Sequence, residues 1–370
     1  DVPVGAFLSG GIDSSYIVAL MQSLSEKKIK TFSIGNIDEY YDEAGKASKI
    51  ADHLGTDHEH LYIDTNKIQE IIPKIPEIFD EPFADASQIP TLMVSQLAKK
   101  QVKVCLSGDG GDEMFGGYQR YLFGPKIWSV LKNIPYSLRK MISNDKSKFL
   151  FLKLYQLLKF RKSNTEFQNQ IYKILSSLDA KNSLEFYKLL RTFSKEENMI
   201  LNHSNQNLVH SDSIKFDNLT EEFIFYDVKS YLPDDILTKV DRASMSVGLE
   251  VRIPYLDHNL VEHCINLPTD YKIKGNERKW ILKKLLKKYL PNEYVTSKKM
   301  GFNLPIGSFL RGPLREWAES LLDTKRIQEQ GFLNSKEVIK KWSRFLKGQN
   351  VLENQIWCIL MFQSWINRNR

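Results

Sequence analysis

The chain has 370 residues and a formal net charge of +7, long enough for one elaborated domain or two. No apolar run reaches bilayer length and the start carries no signal-peptide pattern, so no membrane association is expected. The positive residues scatter through helical stretches such as 139–162 and 279–288, and at Lys298 and Lys299, with few interleaved aromatics. That pattern suits solvated helix faces and argues against a nucleic-acid partner.

The segment "VGAFL" (4–8) is short and apolar, as a buried parallel strand should be. After it, "SSYIVALMQSL" (14–24) sets Tyr16, Ile17, Ala19, Leu20 and Leu24 at helical spacing. Between them, "SGGIDSS" forms a strand–turn–helix corner with free backbone N–H groups and partial positive charge, which makes an anion site for phosphate. It is not a Walker A loop, because the pattern and its lysine are absent, nor a GxGxxG turn, because the glycines are adjacent. Ser9, Ser14 and Ser15 offer hydroxyls, and Gly10 and Gly11 offer amides. Asp13 fits an anionic pocket if a divalent cation bridges carboxylate and phosphate. A plain capped turn is the alternative.

Further along, "KTFSIG" (30–35) is a strand and "DEAGKASKIADHLG" (42–55) a helix with Ala44, Ala47, Ile50, Ala51 and Leu54 inward, stopped by Gly55. "HEHLYID" (58–64) is a strand, "IPTLMVSQLAKKQ" (89–101) a helix and "VKVCLSG" (102–108) a fourth strand. This alternation predicts an α/β fold, a parallel sheet with helices on both faces, whose ligands sit at the carboxyl ends of the strands. Both "SGG" (9–11) and "SGDGGDE" (107–113) lie there, so two distant loops should converge on one pocket. Residues 1–122 then read as a nucleotide-binding core, 123–225 as a helical insertion without a motif, and 226–370 as a helical part completing the site. His58 and His60, two apart on a strand, lack a third ligand nearby and read as surface or half-buried histidines, not a metal site. Cys105, Cys264 and Cys358 are far apart in apolar surroundings and read as buried thiols of a cytoplasmic protein.

In "CLSGDGGDEMFGGY", Asp109, Asp112 and Glu113 crowd three carboxylates into a glycine-rich loop, and like charges that close call for a cation among them. A magnesium site with Asp13 and Asp112 as ligands is the preferred reading, against a simple Asp/Gly turn. The first loop resembles the pyrophosphate-binding loop of ATP pyrophosphatases. The second resembles a signature of glutamine-dependent asparagine synthetases, as do "DEPFADASQIPT" (80–91), "DRASMSVGLEVRIPYLD" (241–257) and "KKMGFNLPIGSFLRGPLREW" (298–317), in the same order. The resemblance covers Asp1 to about Tyr121 and about Phe225 to Leu322.

What it implies is an adenine-nucleotide alpha hydrolase-like fold and a two-step synthesis. Aspartate's side-chain carboxylate attacks the α-phosphate of MgATP, giving β-aspartyl-AMP and pyrophosphate, and ammonia then displaces AMP. By position, Ser9, Gly10, Gly11, Asp13, Ser14 and Ser15 hold pyrophosphate, and Leu8, Ile34, Ser107 and Gly108 line the adenosine. Asp13 and Asp112 hold magnesium. Asp109 stands where the family has an acidic residue important for the intermediate and for deprotonating the amine, one methylene shorter than the glutamate of the familiar bacterial enzyme; Glu113 joins it in the catalytic group. Lys279 matches the family's catalytic lysine, although spacing alone favours a solvated face for Lys279, Lys283, Lys284 and Lys287.

Asp85 and Ser87 are either substrate contacts or helix caps, and Glu250 and Arg252 either substrate contacts or a buried structural pair. Family members begin with a glutaminase domain that opens on a cysteine. This chain opens on Asp1 and has no cysteine before Cys105, so it reads as the synthetase domain alone, using free ammonia, with a homodimer left open. Other readings are amidation of a different carboxylate, such as a uronic acid of a surface polysaccharide, and a non-catalytic synthetase-like scaffold. β-Lactam synthetases are disfavoured, since they place a tyrosine where Asp109 stands.

Overall fold

Five parallel strands form one sheet: β1 (Val4–Phe7), β2 (Lys30–Asn36), β3 (Asp57–Ile63), β4 (Val104–Leu106) and β5 (Glu250–Arg252), in the order β3-β2-β1-β4-β5. This is a computed structural model, and it describes residues 1–36, 44–143, 147, 165–192, 199–201, 216–296 and 304–369. Lys298, Lys299 and the stretch 298–303 of the last motif lie outside the described residues, as does much of 144–164 and 202–215. Contacts group the chain into two units, Asp1–Leu122 with Ile224–Pro305, and Phe123–Phe223 with Ile306–Arg370.

In the first unit, α1 (Ile12–Ser23) links β1 to β2, α2 (Ala44–Leu54) precedes β3, and α3 (Gln88–Lys99) precedes β4. The strand order runs outward from β1 to β3, then returns to place β4 on the free side of β1. Right-handed crossovers then put α1 and α2 on one face and α3 on the other. The direction of winding reverses between β1 and β4, where the two chain exits diverge and open a crevice. β2 is buried throughout its described core, with Thr31, Phe32, Ser33 and Ile34 all inaccessible, so it reads as a continuous run and not an alternation.

On one side, Ala6 and Leu8 of β1 pack with Val18 and Ala19 of α1 and Ala47, Ile50 and Ala51 of α2. The same cluster takes in Leu286 and Leu290 from a later helix, α5 (Trp280–Leu286), and the residues after it. A second cluster joins Ile17 of α1 to Met114, Phe115, Ile236, Tyr255 and Leu282. Helix α4 (Thr238–Met245) packs against α3 and β5. Leu24, placed at helical spacing by the sequence, falls just outside α1, which ends at Ser23; it is the C-cap and is 86% exposed. Leaving the helix one residue early takes its side chain off the apolar stripe. Cys105 and Cys264 are buried free thiols, and Cys358 is half-buried.

The second unit is helical where it is described. Trp128 packs on Phe186 with ring centroids 5.3 Å apart, and Tyr187 stacks on Phe223 at 4.2 Å. The buried Arg139 donates to the carbonyls of Leu178 and Ala180, at 2.9 and 2.7 Å. Among the described residues, no helix is long and apolar enough to cross a membrane.

His58 works within the sheet. Its Nδ1 lies 2.9 Å from Thr31 Oγ1 and its Nε2 3.1 Å from Ser33 Oγ, both on β2, and its ring stacks on His60. Burial, then the neighbouring His60, push its pKa down to about 4. Between that value and the ordinary 6.5, the unfolded chain binds a proton that the folded chain refuses. Stability from this group is therefore present above pH 6.5 and is lost as pH falls toward 4. The urea midpoint should drop more between pH 7 and pH 5 in the wild type than in His58→Gln, and equal drops would remove His58 from this role.

Candidate active site

Packing of α5 against α1 decides where the central cation lies. Leu282 and Leu286 anchor α5 in the two clusters that flank α1, so the residue just before α5 meets the first turn of α1. That residue is Lys279, and the first turn of α1 carries Asp13. Lys279 is 6% exposed, donates to Asp13 Oδ2, and lies 2.6 Å from Asp112 Oδ1. Its backbone is left-handed, at φ +53°, a conformation that costs a non-glycine residue about 1–2 kcal/mol. Two carboxylates holding one buried ammonium offset that strain.

The two loops meet because glycines let them. A Cβ on Gly108 would come within 2.6 Å of the Ser14 amide nitrogen, and one on Gly111 within 2.6 Å of Asp13 Oδ1. One on Gly117 would overlap both Asp112 and Lys279. Gly10 and Gly110 have φ of +70° and +78°, which turn the chain at the ends of β1 and β4. Around the first turn, Ser9 Oγ and Ser14 Oγ are 3.0 Å apart, and the Ser9 amide donates to Ser14 Oγ at 3.2 Å. Tyr255 OH donates to the Asp13 carbonyl at 3.1 Å. Ser15 Oγ is buried and has no hydrogen-bond partner among the described residues. Leu8 and Ile34 are buried at the ends of β1 and β2, and the Ser107 amide donates to the Arg252 carbonyl at 2.9 Å.

Acidic groups follow on the second loop. Ser107 Oγ donates to Asp109 Oδ2 at 2.5 Å, fixing that carboxylate at the loop's start. Glu113 is 1% exposed and accepts from Tyr118 OH at 2.7 Å. Burial, reinforced by the Asp112 charge, pushes the Glu113 carboxyl up to about 7. Tyr118 is in turn covered by the Arg120 guanidinium, 3.8 Å from its ring centroid, and Arg120 pairs at 2.6 Å with the fully buried Asp227. Tyr121 OH donates to that same Asp227 oxygen at 2.6 Å.

Asp85 and Ser87 sit together before α3. Ser87 caps no backbone amide with its side chain; its N–H and Oγ donate to Asp85 at 2.9 and 2.8 Å. Lys239 of α4 reaches Asp85 Oδ2 at 2.9 Å. Glu250 and Arg252 are not a buried pair. They lie two apart on β5, their side chains are 55% and 66% exposed, and they bond each other at 2.7 Å. A strand's period of two puts both on one face, at the sheet's solvent edge.

Among the described residues, no three His, Cys, Asp or Glu side chains make a metal site by themselves. Asp13 and Asp112, converging on one cation, are a hard-oxygen pair of the kind that holds magnesium when phosphate and water supply the remaining ligands. The residues present fit that ion.

The chain matches the asparagine synthase family over residues 1–367. It belongs to that family. It is 29% identical to asparagine synthetase (glutamine-hydrolyzing) 1 of Bacillus subtilis over 377 residues, covering 100% of this chain and 56% of the relative. It is 29% identical to a putative asparagine synthetase of Mycobacterium bovis over 367 residues, 99% and 54% of the two chains. A putative asparagine synthetase of Methanocaldococcus jannaschii is 46% identical over 140 residues, 38% of this chain and 27% of the relative. The chain thus spans about half the length of the full-chain relatives it matches.

For an asparagine synthase family chain, three side chains at this site carry no motif signal that would single them out. Lys239 looks like any helix lysine, while Arg120 and Asp227, 107 residues apart, meet only in the fold. The Gly108 contact is directly testable: Gly108→Ala must push the loop off the Ser14 amide, and overpacking of this kind costs about 1–3 kcal/mol. Urea denaturation should show that loss, and unchanged stability would mean the two loops are not held this closely.

Proposed function

We propose that this chain catalyses ATP-dependent amide synthesis, aspartate plus ATP plus ammonia giving asparagine, AMP and pyrophosphate. The observation that carries the reading is the Lys279 ammonium between Asp13 of the first loop and Asp112 of the second, at the crevice between β1 and β4. Membership of the asparagine synthase family over residues 1–367 supports it.

Ser9, Ser14, Ser15 and the amides of Gly10 and Gly11 would cradle the pyrophosphate, at the positive end of α1. Leu8, Ile34, Ser107 and Gly108 would line the adenosine. Asp13 and Asp112 would hold magnesium, which supplies neutralising charge beside the phosphates. Lys279 donates to the oxygens on which charge accumulates as the carboxylate attacks phosphorus, and again as the amine attacks the acyl carbon. Pyrophosphate leaves in the first step and AMP in the second. Asp109 offers a carboxylate for the proton lost by the attacking amine. In a protein as long as the full-chain relatives, a glutaminase part would supply ammonia from glutamine. Free thiols at all three cysteines suit a reducing cytoplasm.

Labelled ATP incubated with aspartate, ammonium and magnesium should give AMP and pyrophosphate in equal amounts. ADP with orthophosphate as the sole products would contradict the reading. Lys279→Met should slow both pyrophosphate and amide formation by about 10²–10³. Asp109→Asn keeps shape and hydrogen bonding but removes basicity, so rapid-quench sampling should show pyrophosphate forming while amide formation falls. Equal loss of both products would move Asp109 to the activation step.

A further inference from the structure

Lys239 is, with Lys272 and Lys279, one of the buried lysines of the first unit. Its side chain is 9% exposed, and it makes one ion pair, to an Asp85 side chain that is 24% exposed. An ammonium has three donors. Among the described residues, Lys239 spends one of them, on Asp85 Oδ2. A buried cation with donor capacity left over calls for a further acceptor.

Asp85 is also placed with care. The Ser87 amide and hydroxyl fix both of its oxygens, and α4 brings Lys239 to its outer edge by packing on α3. Burial opposes the charge of each partner, but Lys239 and then Ser87 hold the Asp85 carboxyl below the usual carboxylate range. On Lys239 burial is outweighed by Asp85 first, then by Asp109 and Asp235, which raise its proton affinity. The pair therefore lies within electrostatic reach of the loop that carries Asp109.

We propose that Lys239 and Asp85 read the charged head group of an α-amino-acid acceptor, Lys239 donating to its α-carboxylate and Asp85 accepting from its α-ammonium. This rests on the reading above, in which the acceptor's other carboxylate is the one activated. The charge balance favours a zwitterionic head. Around Lys239 stand three carboxylates, Asp85, Asp109 and Asp235. A ligand bringing only negative charge meets that surplus unrelieved, whereas an amino acid brings a cation for Asp85 along with an anion for Lys239. A sugar acid has one carboxylate, which must itself react, and no cation.

Pyrophosphate release by the full chain, measured with aspartate, β-alanine and succinate, tests this. β-Alanine lacks the α-carboxylate and succinate lacks the α-ammonium. The wild type should favour aspartate over each in kcat/KM by about 10–100-fold, the loss expected for one charged hydrogen bond. Lys239→Met should collapse the aspartate/β-alanine ratio to within about threefold while keeping the aspartate/succinate ratio. Asp85→Asn should do the converse, and the KM for ATP should stay put in both. Ratios unchanged in folded variants would overturn the proposal and leave the pair a structural brace. Because Lys239→Met strands a half-buried carboxylate, the double variant with Asp85→Asn serves where the single one does not fold, and there both ratios should collapse. A wild type that uses β-alanine as well as aspartate also overturns it. Absence of pyrophosphate release from the wild type with any amino acid, but release with another carboxylate, would instead overturn the functional reading itself.

Discussion

Everything at the crevice depends on one buried ammonium. Lys279 pairs with Asp13 and with Asp112, and these three residues come from segments that are otherwise unconnected in sequence. Without a cation between them, two nearly buried carboxylates would repel, and each would resist ionisation. With it, the end of β1, the end of β4 and the start of α5 are held together. The left-handed backbone of Lys279 is the local strain that this arrangement maintains. A surplus of negative charge remains, and it suits a polyphosphate only when a metal ion accompanies it.

The sheet explains why those segments meet at all. Parallel winding outward from β1 to β3 and back to β4 leaves a gap in the helical cover at the carboxyl ends of β1 and β4. α1 points its first turn into that gap, and glycine at 108 and 111 lets the second loop lie against it. The Arg120 guanidinium, stacked on Tyr118 and paired with Asp227, then fixes the hydroxyl that bonds Glu113. Chemistry-bearing residues thus sit on a rigid scaffold, with their supports drawn from the core.

Where local pattern and chemistry agree, the fold was legible before the structure. The strands at "VGAFL", "KTFSIG", "HEHLYID" and "VKVCLSG" and the helices between them are present, with ends displaced by a residue or two. β5 was missed as a strand. It has three residues, two of them charged, and its place in the sheet comes only from pairing with β4. The two loops were seen to converge because strand ends in a parallel sheet share one side. Lys279 was another matter: its spacing looks like a solvated face, and only packing of Leu282 and Leu286 turns it inward. Lys239 gave no signal, since partners 154 residues away cannot be read from local sequence. Glu250 and Arg252 misled in the other direction, because an apolar neighbourhood in sequence suggested burial that a sheet edge does not provide.

If the crevice activates a carboxylate on the α-phosphate, an oxygen atom must travel from acid to nucleotide. Aspartate labelled with oxygen-18 in its side-chain carboxylate, turned over with ATP and ammonium, tests this with mass spectrometry of the products. The bridging oxygen formed in the first step leaves with the nucleotide in the second, so AMP should carry one labelled oxygen and pyrophosphate none. Label in orthophosphate, or AMP without label, would contradict an acyl-adenylate at this site.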